Sequence, residues 1–156
     1  MWKPKKKVQI TRRAVIGLTA AAILFAALAV VANRMGGVVT DTVSRVEDGA
    51  TLFVGLTKVR LRGIAVPALD QPLGKAAMQA LADAALGKTA SCRLSGSRSW
   101  DRIDAHCTVE GQDLAEMMIR SGLARDCPRE SEGRYAAFEA DRGETFPLPD
   151  DCHPSP

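Results

Sequence analysis

Arginines are the residues of this sequence whose spacing most directly suggests a site. Arg60 and Arg62 alternate with Val59 and Leu61 in a strand-like stretch, so both arginines lie on the face opposite the apolar residues. Guanidinium groups bind phosphates and carboxylates, and two of them together can form an anion cradle. The same pattern also fits arginines that only solvate a strand face or pair with an acid such as Asp48. The sequence leaves both interpretations open.

Two segments around these arginines have a distinctive pattern. Residues 46–52 read Val-Glu-Asp-Gly-Ala-Thr-Leu, and residues 59–68 read Val-Arg-Leu-Arg-Gly-Ile-Ala-Val-Pro-Ala. They resemble the metal site of the staphylococcal nuclease (thermonuclease) family, whose pattern is roughly Val-x-Asp-Gly-Asp-Thr-Leu and then Val-Arg-Leu-x-Gly-Ile-Asp-Ala-Pro-Glu. The second Asp, the later Asp and the Glu of that pattern fall on Ala50, Ala65 and Ala68. The two segments therefore match the family pattern in most positions but lack its three carboxylates.

The resemblance continues beyond these segments. Residues 111–125 are similar to the family's Gly-x-x-Leu-x-Glu-x-Leu-Val-x-x-Gly-x-Ala segment, and Tyr135 with Glu139 is similar to the Tyr-x-x-x-Glu of its last helix. By position Arg60 matches the first functional arginine of the family and Arg102 the second, although Trp-Asp-Arg stands where the family usually has Tyr-Gly-Arg. The resemblance covers nearly the whole folded part.

In active members of that family two Asp carboxylates bind calcium, a Glu acts on the attacking water, and two arginines stabilise the phosphate. The methyl groups of Ala50, Ala65 and Ala68 supply no oxygen ligand and accept no proton. The resemblance therefore implies that calcium binding is lost, that no cofactor is used and that no catalytic residue remains. Arg60 and Arg102 are kept as vestigial phosphate-binding candidates. We expect a catalytically silent binding or scaffolding module.

A rearranged site is the alternative. Asp70 follows the third predicted strand and Asp101 adjoins Arg102. Such displaced acids could support a weak or calcium-independent phosphodiesterase acting on DNA or RNA. They would have to hold the reacting groups to within about 0.5 Å of the productive geometry. We therefore rank this alternative second.

The second half of the chain contains four cysteines, Cys92, Cys107, Cys127 and Cys152. An even number in a small exported domain favours disulfides, and four cysteines allow three pairings. Cys92 and Cys107 lie in successive strand-like stretches that antiparallel pairing would bring together. We favour Cys92 with Cys107, and Cys127 with Cys152.

The N-terminal part predicts a membrane anchor. Residues 14–32 carry no charge and are long enough as a helix to cross a hydrocarbon core of about 30 Å. Six Lys and Arg and no acid lie in residues 1–13, which predicts a cytoplasmic N-terminus and a periplasmic domain on the bacterial inner membrane. Cleavage near Ala29, which would release the domain to the periplasm, and a weak twin-arginine signal in residues 11–13 are the alternatives.

Charge and composition disfavour two classes of ligand. Beyond the first 13 residues, 15 Lys and Arg face 18 Asp and Glu, whereas proteins that grip a nucleic acid backbone usually have a basic excess. Trp100 and Tyr135 are too few to stack bases. Zinc binding by the cysteines with His106 and His153 lacks the usual paired spacing. An unidentified protein or an anionic ligand is the favoured partner.

The order of predicted elements is three strands, a helix, two strands and two helices. Strand signals cover residues 43–46, 51–54, 58–64, 88–94 and 104–109, and helix signals cover residues 73–86, 112–121 and 134–142. This order fits a mainly β fold, a five-stranded OB-type barrel capped by about three helices. Residues 33–42 are predicted as a tether, 43–146 as the domain, and 147–156 as an irregular tail that Cys152 ties back.

Overall fold

The computed structural model describes residues 37–99, 101–140 and 146–153. They belong to the second of two units of the chain, residues 36–156. The predicted cytoplasmic segment 1–13, the membrane segment 14–32 and the cleavage site near Ala29 lie outside the described residues. Among the residues that are described, no helix is both long and apolar enough to cross a membrane.

Strands make up most of the regular structure. The described part of the chain has eight, which are β1 (Val38–Val46), β2 (Thr51–Val54), β3 (Thr57–Leu61), β4 (Ile64–Ala65), β5 (Thr89–Ser99), β6 (Arg102–Val109), β7 (Gln112–Asp113) and β8 (Arg125–Asp126). The helices are α1 (Gly74–Ala85), α2 (Leu114–Arg120), α3 (Pro128–Ser131) and α4 (Ala136–Ala140), with a 3₁₀ turn at Asp150–Cys152. The domain is mainly β with a few helices.

Six strands form one sheet with the shape of a ring. Neighbours in the order β3-β2-β1-β5-β6-β7 are antiparallel, and β3 also pairs in parallel with β6. This additional pairing joins the two sides of the sheet, so that β1, β2, β3, β5 and β6 surround a common interior. The short strands β4 and β8 form a separate antiparallel pair.

Alternating apolar side chains fill the interior of the ring. Val59 and Leu61 of β3 are fully buried, whereas Arg60 between them is partly exposed, as the period of a strand requires. Helix α1 adds an apolar stripe at a spacing of four residues, which packs into the same cluster. That stripe consists of Ala77, Leu81 and Ala85.

Several strand boundaries differ from the prediction. The predicted strands 88–94 and 104–109 are longer in the structure, as β5 and β6, and the short strands β7 and β8 were not predicted. Residues 38–42, assigned from the sequence to the tether, form the first half of β1 because they pair with residues 89–93 of β5. The predicted strand 58–64 is divided into β3 and β4, because Gly63 has a φ of 85° and turns the chain. The tether prediction is therefore wrong for its second half.

The helix predictions hold to within two residues where the structure describes them. The predicted helix 73–86 matches α1 to within one residue at each end. The predicted helix 112–121 begins two residues later because Asp113 pairs in β7, and its carboxylate accepts hydrogen bonds from the second and third amides of α2 at 2.9 and 3.2 Å. Helix α3, which begins at Pro128, was not predicted. The predicted helix 134–142 begins two residues later as α4, and its last two residues lie outside the described part.

Two disulfides have the pairing that the sequence favours. Cys92 bonds to Cys107 between β5 and β6, and Cys127 bonds to Cys152 in the tail. The tail is therefore covalently tied to the domain just after β8. Disulfides of this kind are typical of a domain that folds in an oxidising, extracytoplasmic compartment.

We expect the double variant Cys127→Ser with Cys152→Ser to lose about 2–4 kcal/mol of unfolding free energy, because the bond links residues 25 positions apart in the unfolded chain. Urea unfolding of the oxidised full-length chain measures the loss. The Cys92–Cys107 bond stays intact in this variant and maintains the ring. An unchanged unfolding midpoint would contradict a stabilising role for the tail.

Candidate ligand-binding site

A cavity of about 540 Å³ is lined by the turn after β1, by β3, by β4 and the loop that follows, by the start of β6 and by the tail. It brings together Ala50, Ala65 and Ala68, the three positions where the family resemblance places carboxylates. Arg60 and Arg102, the two matched arginines, line the same cavity. We call this space the alanine–arginine cavity.

The turn that carries Ala50 is held by Asp48. A carboxylate oxygen of Asp48 accepts a hydrogen bond from the Ala50 amide at 2.8 Å, which shapes the turn. The Ala50 carbonyl in turn accepts a hydrogen bond from the Leu61 amide of β3 at 2.7 Å. Gly49 packs against α1 so closely that an added Cβ would lie 2.6 Å from the Cβ of Ala77. The turn is therefore fixed between β3 and α1.

Ala65 lies under the tail. It pairs with Arg125 across the short sheet of β4 and β8 and is 5% exposed. Its buried cluster contains the Cys127–Cys152 disulfide, with Phe146 and Leu148 of the tail packed against it. Ala68 differs, because it is exposed in the loop before α1. The tail therefore covers one of the three alanines and leaves another open.

Arg60 is already engaged within the protein. One Nη donates to a carboxylate oxygen of Glu130 at 2.8 Å and the other to the Ile64 carbonyl at 3.2 Å. The partner of Arg60 is thus Glu130 and not Asp48, which the sequence suggested. Asp104 lies opposite Arg60 in the β3–β6 register, and burial raises its pKa while Arg60 acts in the opposite direction. The charge of Arg60 is largely compensated.

Arg102 is the available cation of the cavity. It is partly exposed, and no hydrogen bond or close ion pair joins its side chain to another residue in the described ranges, although its charge helps to lower the pKa of Asp101 and acts in the same direction on Asp104. A guanidinium in this state offers all its N–H donors to a ligand. Arg102 is therefore the arginine best placed to bind an acidic group.

Three carboxylates also line the cavity: those of Glu47, Asp48 and Asp151. Glu47 pairs with Lys58 at 2.6 Å, and Asp48 uses one oxygen in its turn. The acids proposed from the sequence for a rearranged site, Asp70 and Asp101, do not line the cavity. Asp101 instead bonds to Lys58 at 2.7 Å, and this hydrogen bond lowers its pKa. Within the described residues no group of three His, Cys, Asp or Glu is arranged to hold a metal ion.

The other matched residues lie away from the cavity. Tyr135 is 1% exposed and donates its hydroxyl hydrogen bond to Asp113 at 3.1 Å, at the start of α2. Glu139 accepts a hydrogen bond from the Arg125 side chain at 2.6 Å and another from the Asp126 amide at 3.1 Å. Both residues therefore connect α4 and the segment before it to the rest of the domain.

Some residues of the cavity were missed from the sequence. Asp151 and Pro149 of the tail line it, and Glu130 compensates Arg60 from α3. The pairing of Cys127 with Cys152 was the one signal that could have placed the tail near this cavity. No local pattern marks Glu130, which lies 70 residues from Arg60.

Asp126 is a buried acid next to this region. It is 2% exposed, and neither carboxylate oxygen has a hydrogen-bond partner of good geometry among the described residues. Burial raises its pKa, while the nearby Ser131 hydroxyl lowers it by a smaller amount. Asp126 lies opposite Ile64 in the β4–β8 pair, beside the strand position of Ala65.

Comparison with models of known protein families and with curated proteins finds no match for this chain. Its assignment to the thermonuclease family remains a resemblance carried mainly by residues 46–52, 59–68 and 111–125. The first two of these segments contribute residues to the alanine–arginine cavity.

We expect Ala65→Asp to destabilise the domain by about 2 kcal/mol or more, because the new carboxylate is placed in a buried, apolar cluster. Ala68→Asp adds the same group at an exposed position and should change stability by less than about 0.5 kcal/mol. Urea unfolding of both variants in chelator measures the difference. Equal effects would contradict the burial of Ala65 by the tail.

We expect Asp126→Asn to stabilise the domain more at neutral pH than at acid pH. A carboxyl whose folded pKa lies above its ordinary value of 3.8 costs folding free energy as pH rises through that value, and the cost is complete above the folded pKa. Urea unfolding at about pH 4 and about pH 7 measures the change, and Asp150→Asn, at an exposed position, is the control. A stability gain of equal size at both pH values would contradict the raised pKa.

Proposed function

We propose that this chain is a membrane-anchored, periplasm-facing thermonuclease-like domain that has lost nuclease activity and acts as a binding or scaffolding module. One observation carries this proposal: the three alanines and the two matched arginines border a single cavity of about 540 Å³. A degenerate nuclease site would have this arrangement, with its frame kept and its metal ligands replaced.

The ring-shaped sheet supports an OB-type barrel as its architecture. Five strands, β1, β2, β3, β5 and β6, surround one interior, and the parallel β3–β6 pairing joins the ends. Barrels of this class have five strands and present ligand sites on their strand faces and loops. The fold alone does not choose a ligand, so the chemistry of the cavity must do so.

The cavity favours a ligand with one acidic group over a polyanion. Arg102 has free donors, whereas Arg60 is compensated by Glu130. Glu47 and Asp151 add negative charge to the walls and would repel a nucleic acid backbone. A single acidic group on a protein segment or on a small molecule can contact Arg102 with less repulsion from Glu47 and Asp151 than a polyanion would meet. We therefore propose an unidentified protein or an anionic ligand as partner, and not nucleic acid.

The proposed location is the periplasmic face of the bacterial inner membrane. The uncharged segment 14–32 supplies the anchor in this proposal, and the two disulfides support an oxidising compartment.

The second candidate function is a weak or calcium-independent phosphodiesterase. Its support is that Asp48 and Asp151 line the same cavity as Arg102. These acids differ from Asp70 and Asp101, which the sequence suggested. A nuclease assay separates this candidate from the binding module.

The purified full-length chain should not cleave single-stranded DNA or RNA above background, either with calcium or with chelator. The physical reason is that Ala50 and Ala65 supply no oxygen ligands and Ala68 no general base. Gel analysis of labelled oligonucleotides measures cleavage, and calorimetry with calcium should show no binding heat. Cleavage, with calcium or with chelator, that Arg102→Ala abolishes and Lys75→Ala on α1 keeps would overturn the binding-module proposal.

Binding at the cavity is tested by crosslinking in the membrane. Arg102→Glu reverses the charge of the free guanidinium and should reduce the yield of the crosslinked partner about tenfold, as expected for loss of a charged hydrogen bond. Lys75→Glu makes the same charge change outside the cavity and should keep the yield. Equal yields of the crosslinked partner from Arg102→Glu and Lys75→Glu would show that Arg102 takes no part in binding.

A further inference from the structure

A second, smaller pocket lies on the outer face of the sheet. Its volume is about 160 Å³, and it shares no lining residue with the alanine–arginine cavity. Pockets for drug-sized ligands are larger, about 300–1,000 Å³. Its walls carry mainly polar and charged side chains: Ser91, Arg93, His106, Thr108, Asp113 and Arg134.

The strand register brings these side chains together. Arg93 lies directly opposite His106, and Ser91 directly opposite Thr108, across β5 and β6. Opposed residues of an antiparallel pair point to the same face. The intervening pair, Cys92 with Cys107, points to the interior and is joined by the disulfide. The two strands that form the floor of the pocket, β5 and β6, are therefore joined covalently on their interior face.

Two arginines at the pocket, Arg93 and Arg134, have guanidinium N–H groups that are not used in hydrogen bonds to acidic side chains. Arg93 has no acidic partner within the part of the chain that the structure describes. Arg134 lies 3.7 Å from a carboxylate oxygen of Asp113, which is longer than a hydrogen bond. Asp113 is meanwhile occupied by two amides of α2 and by the Tyr135 hydroxyl. The acid at the pocket therefore compensates the arginines only in part.

Hydroxyl groups add neutral donors. Ser91 Oγ accepts a hydrogen bond from the Thr40 hydroxyl at 3.3 Å, so its own O–H is free to donate. Thr108 Oγ1 has only a long contact, 3.5 Å, to the Ser91 carbonyl. The pocket therefore combines two partly uncompensated guanidiniums with hydroxyl donors in a space of small volume.

We propose that this pocket binds a small tetrahedral oxyanion, such as sulfate or phosphate, between Arg93 and Arg134. The Ser91 hydroxyl donates a hydrogen bond to the anion, and His106 donates a further one in its protonated form. This site lies apart from the proposed module's cavity and does not depend on the identity of the partner bound there.

His106 makes the binding dependent on pH. Its Nδ1 lies 3.3 Å from the Tyr135 hydroxyl, which donates to Asp113, so Nδ1–H is the donor to that oxygen and Nε2 is left for the pocket. Burial first, and then Arg134, lower the pKa of His106, so the ring is neutral at neutral pH.

The other charges that face His106 act in both directions. Arg62 and Arg93 also lower its pKa, and Asp113 raises it. A bound dianion would raise the pKa of His106, so binding takes up a proton. The affinity for the anion must therefore increase as pH falls.

Sulfate titration of the full-length chain in non-ionic detergent tests the proposal. Sulfate keeps its double charge across the range of pH in which histidine titrates, so any pH dependence belongs to the protein. Amide NMR signals of residues 91–93 and 106–108 should shift saturably, with tighter binding at about pH 5.5 than at about pH 7.5. Shifts that are scattered over the surface, or that do not saturate, would overturn the proposal.

Matched variants assign the site. Arg93→Gln should weaken sulfate binding about tenfold, as expected for loss of a charged hydrogen-bond donor. Lys75→Gln removes the same charge from α1 outside the pocket and should leave the affinity unchanged. His106→Gln should keep binding at about pH 7.5 and remove the gain at lower pH. Equal affinity of Arg93→Gln and Lys75→Gln would overturn the proposal.

Glycerol 3-phosphate distinguishes a free anion from the head group of a larger molecule. Affinity equal to that of inorganic phosphate at the same pH supports an oxyanion carried on a carbon chain, and a weaker affinity supports a free anion. Failure of both ligands to shift the pocket signals would contradict the site. A nuclease result of either sign leaves this test unaffected, because the two sites share no residue.

Discussion

The parallel pairing of β3 with β6 is the constraint on which the alanine–arginine cavity depends. Its register sets Val59 opposite Ile103 and Arg60 opposite Asp104. Arg102, at the start of β6, thereby reaches the same cavity as Arg60 although α1 and β5 lie between them in the chain. Parallel pairs require such a long crossover. The cavity follows from this pairing, whereas the second pocket is built on the antiparallel pairing of β5 with β6.

Within the cavity, the carboxylate of Glu130 pairs with Arg60 and not with Arg102, so the two arginines differ in their availability to a ligand. Glu130 shares an oxygen between Arg60 at 2.8 Å and the Gly63 amide at 3.2 Å, so it fixes the turn after β3 as well as the guanidinium. Arg60 is thus part of the structure that shapes the cavity wall. Arg102 has no such partner in the described ranges and keeps its donors for a ligand. A binding role therefore depends on Arg102 more than on Arg60.

The features that the sequence predicted are those with local signals. Helix α1 follows from the helix signals of residues 73–86, and the pairing of Cys92 with Cys107 follows from successive strands. The first half of β1 was predicted as a tether, because only pairing with β5 makes it a strand. The contact of Glu130 with Arg60 spans 70 residues and has no sequence signal. The features that the sequence did not predict are therefore those that depend on long-range contacts.

The two disulfides support the two sites to different degrees. Cys92 and Cys107 lie within a long antiparallel ladder, whose backbone hydrogen bonds would hold the floor of the second pocket even without the covalent bond. The described residues 146–153 pair with no strand, and besides the disulfide their contacts with the domain include a hydrogen bond from Arg125 to the Phe146 carbonyl and apolar packing. The wall of the alanine–arginine cavity that contains Asp151 therefore depends on the Cys127–Cys152 bond. The cavity therefore depends on an oxidised disulfide more than the second pocket does.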